Sequence, residues 1–218
     1  MKNFARLSAL VALCLFISIS SQAQNKGFKL GFSGGWIYTL APDIMPDGFA
    51  TGSSGLGYRG NILMRAGFSE YIGLEFSPGV ANFELSYNTG DFAFMGATIR
   101  QSLLEMPVSL VVHSPEVGPG LFFGFEGGYS NRFLLQASTT LEGAAGPGTP
   151  VRGTENMPSY MGDVILGLVF DKHFDWGTLR VNPEYHLATS NNLNANFPIP
   201  AVGEVRADYI SMDAAIIF

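Results

Sequence analysis

The sequence predicts an all-β chain, an eight-stranded antiparallel up-and-down transmembrane β-barrel. Apolar and polar residues alternate with a period of two in run after run, as they do in a strand whose successive side chains point to opposite faces. The links between the runs are alternately short and long, the rhythm of a barrel with unequal ends. In each run one face carries the large aromatics, while the other carries charges of both signs among glycine and serine.

The first 24 residues stand apart. Lys2 and Arg6 precede an apolar core from Leu7 to Ile19, and Ser21-Gln22-Ala23 offers a small-x-small cleavage site. This is the pattern of a secretory signal peptide, expected to be removed, and it leaves residues 25–218 as a single outer membrane barrel domain. The one cysteine, Cys14, lies inside the apolar core rather than just after it, so neither a lipid anchor nor a disulfide is expected. Charged residues make up 14% of the chain, aromatics 13%, and the net charge is -6. That balance speaks against nucleic acid, which requires a basic face. No segment after the leader reaches the roughly 18 consecutive apolar residues of a membrane-crossing helix.

Strand one sets Phe28, Leu30, Phe32, Trp36 and Tyr38 against Lys29, Gly31, Ser33 and Gly35; the Pro/Gly/Asp-rich stretch 41–54 follows. Strand two, Gly55 to Gly67, opposes Leu56, Tyr58, Ile62, Met64 and Ala66 to Arg59, Asn61 and Arg65. After Phe68-Ser69-Glu70, strand three alternates Ile72, Leu74, Phe76 and Val80 with Glu75, Ser77 and Gly79. The parity then changes at Phe83, Leu85 and Tyr87, which predicts a bulge near Gly79 to Asn82.

Strand four carries Leu104, Met106, Val108 and Leu110 against Gln101, Glu105 and Ser109, and ends in a turn dense in breakers, His113 to Pro119. Strand five gives Leu121, Phe123, Phe125 and Tyr129 against Gly124, Glu126, Ser130 and Arg132, with a long loop expected over about Gln136 to Pro158. Strand six opposes Tyr160, Val164, Leu166, Leu168 and Phe170 to Asp163, Gly167 and Asp171. Strand seven, after the turn His173 to Trp176, opposes Leu179, Val181, Tyr185 and Leu187 to Arg180, Asn182, Glu184 and His186. Strand eight sets Ile210, Met212, Ala214, Ile216 and Phe218 against Ser211 and Asp213. Pro78, Pro107 and Pro183 fall inside strands, where each removes a ladder donor.

A lipocalin-like barrel has the same strand number but turns its apolar face inward. Here Trp36, Tyr38, Tyr58, Tyr87, Tyr129, Tyr160, Phe170 and Tyr185 cluster near strand ends on the apolar face, as in an interfacial girdle. The polar face suits a narrow lumen filled by compensating charges. Its expected members are Lys29, Arg59, Arg65, Glu75, Glu105, Glu126, Arg132, Asp163, Arg180, Glu184, His186 and Asp213. The terminal Phe218 resembles the C-terminal strand signal read by the outer membrane assembly machinery.

Tyr71-Ile72-Gly73-Leu74-Glu75-Phe76, Leu103-Leu104-Glu105-Met106-Pro107-Val108 and Gly127-Gly128-Tyr129-Ser130 resemble the porin-family, PorT-like outer membrane β-barrel domain. So do Asp163-Val164-Ile165-Leu166-Gly167-Leu168 and Asn182-Pro183-Glu184-Tyr185-His186-Leu187. The resemblance spans residues 25–218 and rests on packing signatures rather than a catalytic motif. It implies an eight-stranded barrel in the cell outer membrane of a Bacteroidota-type bacterium; the even strand number, with short turns on the periplasmic side, is what puts both termini in the periplasm.

The enzymatic alternative is a lipid A esterase using His186 and Ser190, with Asn191 following the serine. A spacing of four on a strand puts that pair roughly 13 Å apart, beyond hydrogen-bond reach. His186 is better read as a lumen residue paired with Glu184. His113 and His173 are expected as surface turn residues, with no metal ligands at suitable spacing. The glycines of 143–148 lack the Lys-Ser/Thr and helix of a phosphate cradle. No cofactor or metal is expected. The expected partners are outer membrane lipids, the assembly machinery and an extracellular ligand taken by the loops, with the chain monomeric. The function expected is non-enzymatic, structural or surface-interacting, with a narrow passive channel for small solutes as the alternative.

Overall fold

The computed structural model describes residues 27–40, 50–89, 96–143, 146–147, 151–152, 158–191 and 206–218, and the expected signal peptide lies outside them. Eight staves form the wall. They are β1 (Gly27–Leu40), β2 (Gly55–Gly67), β3 (two segments, Ile72–Phe76 and Gly79–Thr89), β4 (Gly96–His113), β5 (Leu121–Gly143), β6 (Tyr160–Phe174), β7 (Gly177–Ala188) and β8 (Asp208–Ile217). Each pairs antiparallel with the next. β8 then pairs with β1 from Gly31↔Ile217 to Leu40↔Asp208, so the sheet closes and leaves no free edge along that seam. Short strands at Ala50–Ser53, Gly146–Pro147 and Val151–Arg152 extend β3 and β5 at the long-loop end.

The prolines cost the ladder little. Pro78 separates the two segments of β3, yet its carbonyl accepts from Ile62 N at 2.9 Å and Ser77 N donates to the Pro107 carbonyl at 3.1 Å. Pro183 lies at a gap in the β6–β7 ladder, between the rungs Gly167↔Glu184 and Phe170↔Val181.

The expected bulge in β3 is not there. Met64↔Phe76 and Asn61↔Gly79 belong to one unbroken register, so Ala81, Phe83 and Leu85 keep the inward parity of Glu75. Reading Phe83 and Leu85 as shifted to the lipid-facing side assumed an interior polar along its whole length; in fact it turns apolar at the long-loop end. The Tyr87 side chain lies outside the described residues. A bulge does occur on β5, where Ser102 faces Gln136 and Leu103 faces Leu134, leaving Leu135 as the extra residue. β5 also continues to Gly143, through the first part of what reads in the sequence as a loop from Gln136.

The two faces are of opposite chemistry. Phe32, Trp36, Ile62, Phe125, Leu166, Val181 and Ile210 are exposed on the outside, whereas Arg59, Arg65, Glu105, Asp163, Arg180 and Asp213 are buried inside. At the short-turn end Leu63, Ala215 and Ile217 pack together. At the other end Ile37, Ala81, Phe83, Leu103, Met161 and Tyr209 form an apolar layer across the interior, with Leu134 against it.

Candidate functional site

Alternation places every expected network residue on the inward face, and an eight-stranded barrel is just wide enough for its own side chains to meet in the middle. The charges sort into three tiers along the axis.

The tier at the short-turn end centres on Arg180 of β7. Its Nε and Nη2 donate to the two oxygens of Asp171 at 2.7 and 2.8 Å, and its Nη1 donates to Glu75 at 2.7 Å. Such a fork on a carboxylate exploits the planar, always-charged guanidinium, which a lysine could not reproduce. Arg65 completes the tier, 3.6 Å from Glu75 and 3.4 Å from Asp171. Lys29 lies at the mouth, half-buried, and makes no ion pair among the described residues.

Arg59 of β2 organises the middle tier. Its Nε lies 2.9 Å from both Asp213 oxygens, Nη2 donates to Glu184, and Nη1 is 3.9 Å from Glu105. Asn182 donates to Glu126 and to Glu184, each at 2.6 Å, drawing two carboxylates together through one amide. His186 Nε2 sits 2.7 Å from Glu184 and its ring stacks on Tyr209 at 4.0 Å.

In the third tier Arg132 pairs with Asp163 and lies 5.2 Å over the rings of both Phe83 and Tyr209. The Tyr209 hydroxyl is 3.3 Å from Glu105 and 3.4 Å from Asp163. This tier joins the charged interior to the apolar layer above it.

Two histidines depart from expectation. His113 is the last residue of β4, not a surface turn residue: it is buried, with Nε2 2.9 Å from Asp171 and Nδ1 3.0 Å from Arg65. Inward parity runs unbroken from Gln101 to His113, so β4 takes in the first residue of the expected turn and stops just short of its breakers. His173 is also inward-facing and part-buried at the mouth, with Nδ1 2.8 Å from the Thr178 hydroxyl and its ring edge-on to Phe122.

Tyr209 and Asp171 are hubs that the expected membership leaves out. Both share the parity of the polar face, Tyr209 with Ser211 and Asp213, Asp171 with Asp163. Parity was therefore the signal for each, masked for Tyr209 by its aromatic character.

Ser190 accepts a bond from Gly162 N at 2.8 Å, whereas His186 is held by Glu184. Ser211 is the hydroxyl beside His186, at 3.5 Å, but both are fully buried. Among the described residues, no group of three His, Cys, Asp or Glu side chains is arranged to hold a metal ion. The cavity between Arg59, Glu75, Glu126, Arg180 and Asp213 measures about 20 Å³, room for roughly one water molecule.

No protein-family model and no curated protein matches the chain. Among solved structures, it is similar to the attachment invasion locus protein Ail of Yersinia pestis, at 8% identity over 87% of this chain and 98% of that one, with a TM-score of 0.43. It is also similar to the outer membrane protein OprG of Pseudomonas aeruginosa (12% identity, 89% and 97% covered, TM-score 0.46). A third is Neisserial surface protein A (12% identity, 88% and 97% covered, TM-score 0.42). From its own strand pairing, the chain is an eight-stranded antiparallel up-and-down β-barrel, charged within and apolar without.

Proposed function

We propose that this chain is an outer membrane barrel of the porin-family, PorT-like kind, with a plugged lumen and a structural or surface-interaction role rather than an enzymatic one. The observation that carries the reading is the inverted polarity of the wall. Ion pairs fill the inside while a continuous band of Phe, Leu, Val, Ile and Tyr covers the outside, which suits hydrocarbon and not water. The short turns and both termini then lie in the periplasm and the long loops at the cell surface. Phe218 is offered to the assembly machinery, the barrel stands as a monomer among outer membrane lipids, and its loops take an extracellular ligand. Interlocked tiers and an apolar layer above them argue against a path for ions.

Single-channel recording of refolded protein in planar bilayers tests the plug. No discrete conductance steps are expected; reproducible steps would replace this reading with a narrow passive channel. Mass analysis of lipid A after incubation tests the rest: an acyl chain lost with wild type and kept with His186→Asn would make the protein an enzyme.

A further inference from the structure

On the outer wall one rung of the sheet crosses four staves. Tyr58 of β2 faces Asn82 of β3, Asn82 faces Ser102 of β4, and Ser102 faces Gln136 of β5. In the next rung towards the long loops Glu84 faces Arg100, with Nε 2.8 Å from the carboxylate. These side chains point outward and line a groove of about 270 Å³.

The groove is built, not left over. Arg132 and Leu134 face inward, so simple alternation would turn Gln136 inward as well. The bulge at Leu135 reverses it and sends the amide onto the outer face in line with Asn82 and Ser102. The Ser102 hydroxyl donates to Asn82 Oδ1 at 2.6 Å, which fixes that amide. Among the described residues, the Asn82 NH2, the Gln136 amide and the Tyr58 hydroxyl bond to no other group.

Depth and chemistry name the occupant. On β3 and β4 the apolar band ends at Val80 and Leu104, so there the rung of Asn82 and Ser102 begins two residues further, roughly 7 Å along the strand, with Leu56 of β2 as an apolar flank of the groove. If the band marks hydrocarbon, this rung stands among headgroups and faces sideways into the leaflet. One Arg paired with one Glu leaves the groove neutral, so recognition there rests on hydrogen bonds and ring contact rather than on net charge. Two amides and a hydroxyl can both give and accept hydrogen bonds, and an exposed Tyr ring offers a flat apolar face beside them. That set matches a pyranose, with its hydroxyls at the rim and its C–H face on the ring. We propose that this groove binds the sugar headgroup of a glycolipid in the leaflet around the long-loop end, a site that rests on the outer membrane reading above.

The test is native mass spectrometry of the refolded barrel in mixed micelles of short-core lipopolysaccharide and phosphatidylglycerol. Wild type should retain lipopolysaccharide at least tenfold more than N82A/Q136A, with Gln136→Leu as a second, milder variant should the pair fail to fold. Equal retention by wild type and a folded variant, or equal retention of phosphatidylglycerol, overturns the site. Tight binding of the delipidated core oligosaccharide alone would move the ligand to a soluble glycan and overturn the glycolipid assignment. Flotation with liposomes and a gel shift between unheated and boiled samples report separately on the membrane reading: a barrel that floats without selecting lipopolysaccharide sinks only the groove.

Discussion

Arg59 and Asp213 meet across a strand that puts no side chain between them. Arg59 Nε lies 2.9 Å from both oxygens of Asp213, and Gly35 of β1 stands in register with each. A Cβ on Gly35 would overlap the Asp213 carboxylate and the Met212 carbonyl. The glycine is thus the window through which the second stave holds the eighth.

Gly35→Val should therefore destabilise the barrel by about 1–3 kcal/mol or more, through overpacking and a broken pair. Gly60 faces outward on β2, where an added Cβ meets nothing within 4 Å. Gly60→Ala should stay within about 0.5 kcal/mol of wild type. Urea unfolding in liposomes, followed by tryptophan fluorescence, gives both values.

Arg59→Met leaves Asp213 and Glu184 buried without their cation and should cost about 3–5 kcal/mol. Asp213→Asn leaves Arg59 its contact with Glu184 and should cost less. If the two variants unfold at the same urea concentration, Arg59 is not the organiser of this tier.

Phe83→Ala opens the apolar layer beneath Tyr209, whose ring it meets edge-on at 4.9 Å, and removes one of the two rings under Arg132. A loss of about 3–5 kcal/mol is expected. Were Phe83 lipid-facing, as the expected bulge would have it, a truncation to Ala would cost far less.

Leu166 is 58% exposed near the middle of the outer band. In a bilayer Leu166→Arg should cost about 2–4 kcal/mol. The same change on a water-facing wall would be close to neutral, so refolding yield into liposomes distinguishes the two settings directly.

Deleting Leu135 should remove the bulge and join inward Leu134 directly to Gln136, leaving Gln136 on the outer face opposite Ser102. Limited biotinylation of an introduced Gln136→Cys reads the outcome: labelled from outside in parent and deletion alike, whereas protection in the deletion would mean that Leu135 is not the extra residue.

Period-two alternation made much of this molecule legible. β2 runs over the residues its pattern marked, and all twelve expected lumen residues face inward because parity alone decides which side of a strand a residue occupies. What parity cannot tell is whether an apolar residue on the inner face signals a bulge or a change in what the interior is made of. Phe83 and Leu85 were ambiguous for that reason, and only the partner register on β2 and β4 resolves them. The bulge at Leu135 was illegible because Leu135-Gln136 reads as the end of a strand. The pairings of the tiers were hidden too, since which arginine meets which acid depends on stagger between staves distant in sequence.

Those distances bear on how the barrel comes into being. Arg59 and Asp213 are 154 residues apart, Arg65 and Asp171 106, and Arg180 and Glu75 105. A sheet not yet rolled up holds these groups on one open face with their counter-ions out of reach. Their mutual attraction therefore arrives late, together with the ten rungs that zip β8 to β1. Nothing short of the finished ring gains from it, so half-assembled forms should be sparsely populated and the completed ring slow to reopen. Persistence in time, more than depth of the free-energy well, is what a latch of this kind confers.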